Sequence, residues 1–109
     1  MTSAQLSVEE KHAEGESVLV LSGEIDMATA GHLRSAVDQT FARGSDRIVL
    51  DFAGVTFCDS QGLSTLIAAN RTAEAAGNQL VLANVGDFVL RLLDITGLRP
   101  VFTFEDQER

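Results

Sequence analysis

The sequence predicts an α/β domain: a mixed, mostly parallel β-sheet with helices packed against it, in the order β-β-α-β-α-β-α-β. Three observations carry this. Short apolar runs rich in Val and Leu alternate with stretches of helical periodicity, the pattern of strands joined by helical crossovers. A weakly alternating segment and a tight turn precede the first apolar run, so the sheet opens with an antiparallel pair. The 109 residues are 45% hydrophobic, enough for one core and too few for a second lobe. One domain is therefore expected over residues 1–109, with its core over about 5–104 and a short charged tail at 105–109.

The elements follow in order. Gln5 to His12 alternates weakly around Leu6 and Val8, and AEGE (13–16) is a hairpin turn. SVLVLS (17–22) is a short apolar run, hence a buried strand. GEID (23–26) leads into a first helix over about 29–43, where Ala30, Leu33, Val37 and Phe41 recur at helical spacing. Asp26 and Thr29 both have side chains suited to an N-cap. RIVLDF (47–52) is apolar on both faces until Asp51, as in a central strand covered on both sides. AGVTFCDSQG is then expected as a loop. Leu63, Leu66, Ile67, Asn70, Ala73 and Ala76 mark a second helix ended by Gly77. QLVLA (79–83) is a strand, and DFVLRLLDIT (87–96) is a third helix with Leu90 and Leu93 on one face. VFTF (101–104) closes the sheet, and Phe52, Phe57, Phe102 and Phe104 are expected in the core.

Composition excludes several functions. The net charge is −8 with acids spread along the chain, which disfavours a nucleic-acid or anionic-membrane surface built on clustered Lys and Arg. Cys58 is the single cysteine, so no internal disulfide forms, in keeping with a reducing compartment. No basic segment followed by an apolar run opens the sequence, and no apolar run approaches a membrane span. The cytoplasm is the expected location.

In open α/β sheets function gathers at the carboxyl ends of the strands. Two loops there, GEIDMAT and FCDSQG, each carry a carboxylate and a hydroxyl beside a helix start. For Ser60 the residues leave three roles open. It is a helix N-cap, as Asp or Ser commonly is. It is a nucleophile, because CDSQG matches half of G-x-S-x-G; but Cys58 replaces the first glycine, and both histidines, His12 and His32, precede the serine. Or it is a modification target, since a phosphate there adds about −1.5 to −2 charges where free helix N–H groups favour an anion. No phosphate-binding glycine motif and no His/Cys metal spacing is present. Asp26, Asp51 and Asp59 form a carboxylate-only Mg²⁺ site only if their loops converge; the simpler reading is caps and turn residues. No metal or cofactor is expected.

GEIDMATA (23–30), IVLDFAGVTFCDSQGLSTLI (48–67) and LLDITGL (92–98) closely resemble, in the right order, the STAS domain of bacterial anti-sigma factor antagonists. The resemblance implies a non-enzymatic protein that binds an anti-sigma factor, itself an ATP-dependent serine kinase, and so releases a sigma factor. It implies that the kinase phosphorylates Ser60, that this blocks binding, and that a serine phosphatase reverses it. Asp26 and Asp59 fall on the family's acids in or beside the partner surface; Met27, Thr29, Ser60, Gln61 and Gly62 are expected there with them. The family often has Ser or Thr where Gln61 stands, so the site offers one hydroxyl. The tail after Phe104 is short for the family's final helix. Other STAS domains are constitutive scaffold or ligand-binding subunits of stressosomes or transporters, which is the alternative. Cys58 reads as a buried filler. Gly62 reads either as a close-packing residue or as a plain small helix residue, and Met27 either as an interface residue or as a core contact.

Overall fold

The computed structural model describes residues 5–105. Five strands, β1 (Leu6–Ala13), β2 (Glu16–Ile25), β3 (Arg47–Cys58), β4 (Gln79–Ala83) and β5 (Thr103–Glu105), form one sheet in sequence order. β1 and β2 are an antiparallel hairpin; β2–β3, β3–β4 and β4–β5 are parallel. The crossovers are α1 (Ala30–Ala42), α2 (Ser60–Ala75) and α3 (Asp87–Thr96), the last followed by a 3₁₀ turn at Arg99–Val101. Right-handed crossovers that always step the same way along the sheet place all their helices on one face. The core lies accordingly: Leu33 and Val37 of α1, Leu66 and Ala73 of α2, and Val89 and Leu93 of α3 meet Leu19, Leu21, Ile48, Leu50, Leu80 and Leu82 of the sheet.

The opposite sheet face carries a smaller cluster of Val49, Val81 and Ala83, with Val18 packed against it. Both faces of β3 are thus buried, as its apolar run predicts. Arg47 closes one end of this face, bonding Glu16 at 3.0 Å, Gln79 at 3.1 Å and the Glu105 carboxylate. At the other end Asp51 is buried and accepts from the Ala53 N–H at 2.9 Å and the Asn84 amide at 3.0 Å.

Four expectations are corrected. GEI and AGVTFC are strand rather than loop: β2 runs on to Ile25 and β3 to Cys58, paired through two register shifts. The pairing overrides the local turn composition of these segments. Gly23 permits it, because its φ of +120° and the close Gln5 carbonyl leave no room for a side chain. The last strand starts at Thr103, since Pro100 sits in the 3₁₀ turn. The buried residues of α3 are Val89 and Leu93, with Leu90 only half-buried. Finally, Phe57 and Phe104 are partly exposed, while Phe52 and Phe102 are core. Of the expected charged tail, residues 106–109 lie outside the described residues, and with them the question of a final helix.

Candidate functional site

The parallel pair β2–β3 ends in register, Ile25 opposite Cys58, so the loops leading into α1 and α2 emerge side by side. The Asp59 N–H donates to the Ile25 carbonyl at 3.1 Å and joins the two exits.

The loop after β2 is locked by its own side chains. Asp26 Oδ1 accepts from the Ala28 N–H at 2.9 Å and the Thr29 N–H at 3.1 Å. Thr29 Oγ1 donates to the Glu24 carbonyl at 2.7 Å and accepts from the Asp26 N–H at 2.9 Å. Thr29 is buried, so it shapes the loop from beneath and offers no surface. Asp26 is half-buried, and Met27 between them stands 73% exposed, which removes the core-contact role for this methionine.

At the second exit the cap is Asp59. Its backbone is extended, and Oδ1 accepts from the Gly62 N–H at 2.9 Å, filling one of the free donors at the start of α2. Ser60 is the first residue of the helix and is exposed, and its hydroxyl has no hydrogen-bond partner among the described residues. The cap role therefore falls to the neighbouring carboxylate. Gln61 is exposed beside Ser60.

Gly62 is buried against the end of β2. A Cβ there would stand 2.5 Å from the Ile25 carbonyl oxygen, 2.7 Å from Ile25 Cγ2 and 3.0 Å from Cys58 Sγ. Gly62 thus acts through close approach: it lets the first turn of α2 rest on β2 and presents nothing to a partner. Cys58 is buried beneath it. Burial, with the nearby Asp59 charge, pushes its thiol up to about 11.

The nucleophile role fails on geometry. His12 pairs with Ser17 at the hairpin end of β2, and its Nδ1 lies 2.9 Å from Ser17 Oγ. Ser60 follows the opposite, carboxyl end of the sheet. His32 is exposed on α1 and bonds no serine among the described residues. Nor do Asp26, Asp51 and Asp59 converge on a metal: no group of three or more His, Cys, Asp or Glu residues suited to a metal ion occurs among the described residues, and Asp51 is engaged with Ala53 and Asn84.

One feature escaped the sequence. Phe57, the penultimate residue of β3, contacts Phe88 of α3 with ring centroids 5.7 Å apart and planes tilted by 30°. The phase of α3 carries the signal for half of it: with Val89 and Leu93 facing the core, Phe88 must point elsewhere.

The chain matches the family model described as "Mlab, STAS domain" over residues 8–102. It is 31% identical to an anti-sigma F factor antagonist of Paenibacillus polymyxa, over 94% of this chain and 89% of that protein. It is 32% identical to an anti-sigma-B factor antagonist of Bacillus subtilis, over 88% of this chain and 87% of that protein. The crystal structure of an anti-sigma factor antagonist from Mycobacterium paratuberculosis superposes with a TM-score of 0.81 at 29% identity, covering 92% of this chain and 85% of that one. No helix among the described residues is long and apolar enough to cross a membrane.

Proposed function

The chain belongs to the STAS domain family, and from that premise we propose that it is an anti-sigma factor antagonist whose binding is switched by phosphorylation of Ser60. Unphosphorylated, it binds an anti-sigma factor that is also a serine kinase, and a sigma factor is freed. The kinase transfers the γ-phosphoryl group of ATP to Ser60 Oγ: the O–P bond to ADP breaks, a new one forms to Oγ, and the hydroxyl proton leaves to a base of the kinase. The modified protein is released, and a serine phosphatase hydrolyses the ester. The protein acts in the cytoplasm as one domain, by binding rather than catalysis, and needs no cofactor of its own.

The observation that carries this is the division of roles at the turn. Asp59 makes the cap bond and leaves the exposed Ser60 hydroxyl free for transfer. A phosphate at this position is tolerated by the fold, because the start of α2 favours an anion by about 0.3–1 kcal/mol at an exposed site. A partner lying flat on the turn instead meets a hydrated dianion, and a few kcal/mol of desolvation lowers affinity by orders of magnitude.

The test is incubation with purified anti-sigma factors and ATP, with phosphate located by mass spectrometry. Wild type is expected to gain one phosphate on Ser60, and Ser60→Ala none. Ser60→Asp is expected to bind the kinase at least roughly tenfold more weakly with a melting temperature that is not lowered. Phosphate incorporation that survives in Ser60→Ala would overturn the site, and equal affinity of Ser60→Asp would overturn the charge mechanism.

A further inference from the structure

Resting on that function, we infer that the partner is anchored beside the serine turn by the Phe57–Phe88 pair, and that this face fits a protein surface presenting an apolar side chain ringed by Lys or Arg. Phe57 is 39% and Phe88 53% exposed, and the two rings lie together. They form a two-ring apolar platform where β3 leaves the sheet, three residues before Ser60. Aromatic side chains, Phe among them, are enriched in the buried centre of protein interfaces.

The surroundings specify the charge of the occupant. Glu24 lies opposite Phe57 in the β2–β3 register. Asp87 immediately precedes Phe88 at the exposed start of α3. Asp59 follows two residues after Phe57, and Asp26 lies on the adjoining loop. No Lys or Arg occurs in residues 23–31, 53–64 or 84–90, the segments that build this pole; the first cation beyond them is Arg91, exposed on α3 three residues after Phe88. Two cations with close acidic partners mark the far pole: Arg43 pairs with Glu10 beyond the end of α1, and Arg47 with Glu16 at the start of β3. An apolar platform whose rim is predominantly acidic repels an anionic membrane. It also repels a second copy of itself, which would bring acid against acid. A basic-rimmed protein face complements it.

The rim and the switch act at different ranges. Solvated acids attract a basic partner across several ångströms and mainly raise the association rate. The Ser60 hydroxyl lies inside the footprint, where a phosphate would have to shed its water. The same partner is therefore steered by carboxylates and excluded by a dianion.

The experiment measures binding of the unphosphorylated protein to the purified anti-sigma factor that phosphorylates Ser60. Phe88→Ser is expected to raise Kd roughly tenfold, and Phe88→Leu less than about threefold. Phe57→Thr, checked by circular dichroism, is expected to match Phe88→Ser if the latter melts early. Raising the salt from about 50 to 500 mM is expected to slow wild-type association roughly tenfold. If Phe88→Ser and Phe57→Thr bind within twofold of wild type while Ser60→Asp is weakened, the aromatic anchor is wrong and the proposed function stands. If no anti-sigma factor binds wild type, both fall. If sedimentation shows a wild-type dimer that Phe88→Ser dissociates, the occupant is a second copy and the inference is overturned.

Discussion

Replacing Gly62 by alanine sets two effects of opposite sign against each other. In a helix, Gly→Ala is normally favourable by about 0.8–1 kcal/mol. At this position the new methyl group meets the Ile25 carbonyl oxygen at 2.5 Å, Ile25 Cγ2 at 2.7 Å and Cys58 Sγ at 3.0 Å. The first contact is backbone and cannot rotate aside. That carbonyl also accepts the Asp59 N–H, so relieving the clash pulls α2 off the end of β2 and strains this bond. Overpacking of this kind costs about 1–3 kcal/mol, and weakening the hydrogen bond adds about 1 kcal/mol. The net expectation is a loss of about 2 kcal/mol, or roughly 8–16 °C in melting temperature for a domain of this size. Urea denaturation followed by circular dichroism, with an unchanged m-value, measures it. Gly31 supplies the control. It is helical and exposed with no atom within 4 Å of a Cβ, so Gly31→Ala is expected to be neutral or stabilising by up to about 1 kcal/mol. A Gly62→Ala protein as stable as wild type would refute the close-approach role.

The neighbouring residues give further expectations. Asp59→Ala removes the bond to the Gly62 N–H and is expected to cost about 1 kcal/mol, whereas Asp59→Asn keeps an acceptor and most of the stability; equal losses in both would show that charge, not capping, is what Asp59 contributes. Cys58, with its thiol raised to about 11, is expected to resist iodoacetamide at pH 8 in the folded protein and to react once urea unfolds it; rapid labelling of the native state would contradict its burial. Because the folded state holds this proton more tightly than the unfolded chain, the contribution is complete below the ordinary thiol value of 9.0 and is lost as pH rises through about 11. Stability should accordingly fall across that window, and fall less in Cys58→Ala.

Much of this was legible in the residues. β4 and α3 end where the sequence places them, because each is an apolar run with clear punctuation, Gly77 before one and Gly97 after the other. The extensions of β2 and β3 were hidden. Gly23 and Glu24 on one strand and Gly54 and Thr56 on the other carry no strand pattern, and these segments become strand only because Ser22–Ile25 pairs with Gly54–Cys58 across two irregularities. Of the site, the turn and its residue types were visible, but not which oxygen does what. Asp59 and Ser60 are both good caps by type, and only the bond to the Gly62 N–H separates them. Likewise Asp26 and Thr29 look equivalent as caps, yet one carboxylate binds two N–H groups at the surface while the hydroxyl is buried beneath the loop. Phe57 escaped because an aromatic residue beside a strand defaults to the core.

The separation of structural from exposed groups bears directly on how a switch at Ser60 would work. Had Ser60 capped α2, a phosphate on its oxygen would have removed a helix bond and the modification would have acted through the fold. Instead the groups that hold the turn are Asp59, Gly62, Thr29 and the Ile25 carbonyl, and none of them is the Ser60 hydroxyl, the proposed phosphoryl acceptor. A charge added to Ser60 leaves every one of those contacts in place and alters only what a docking surface meets. Recognition and stability are then set by different atoms a few ångströms apart. Ser60→Asp should weaken affinity without lowering the melting temperature, while Asp59→Ala should lower the melting temperature even with the hydroxyl intact.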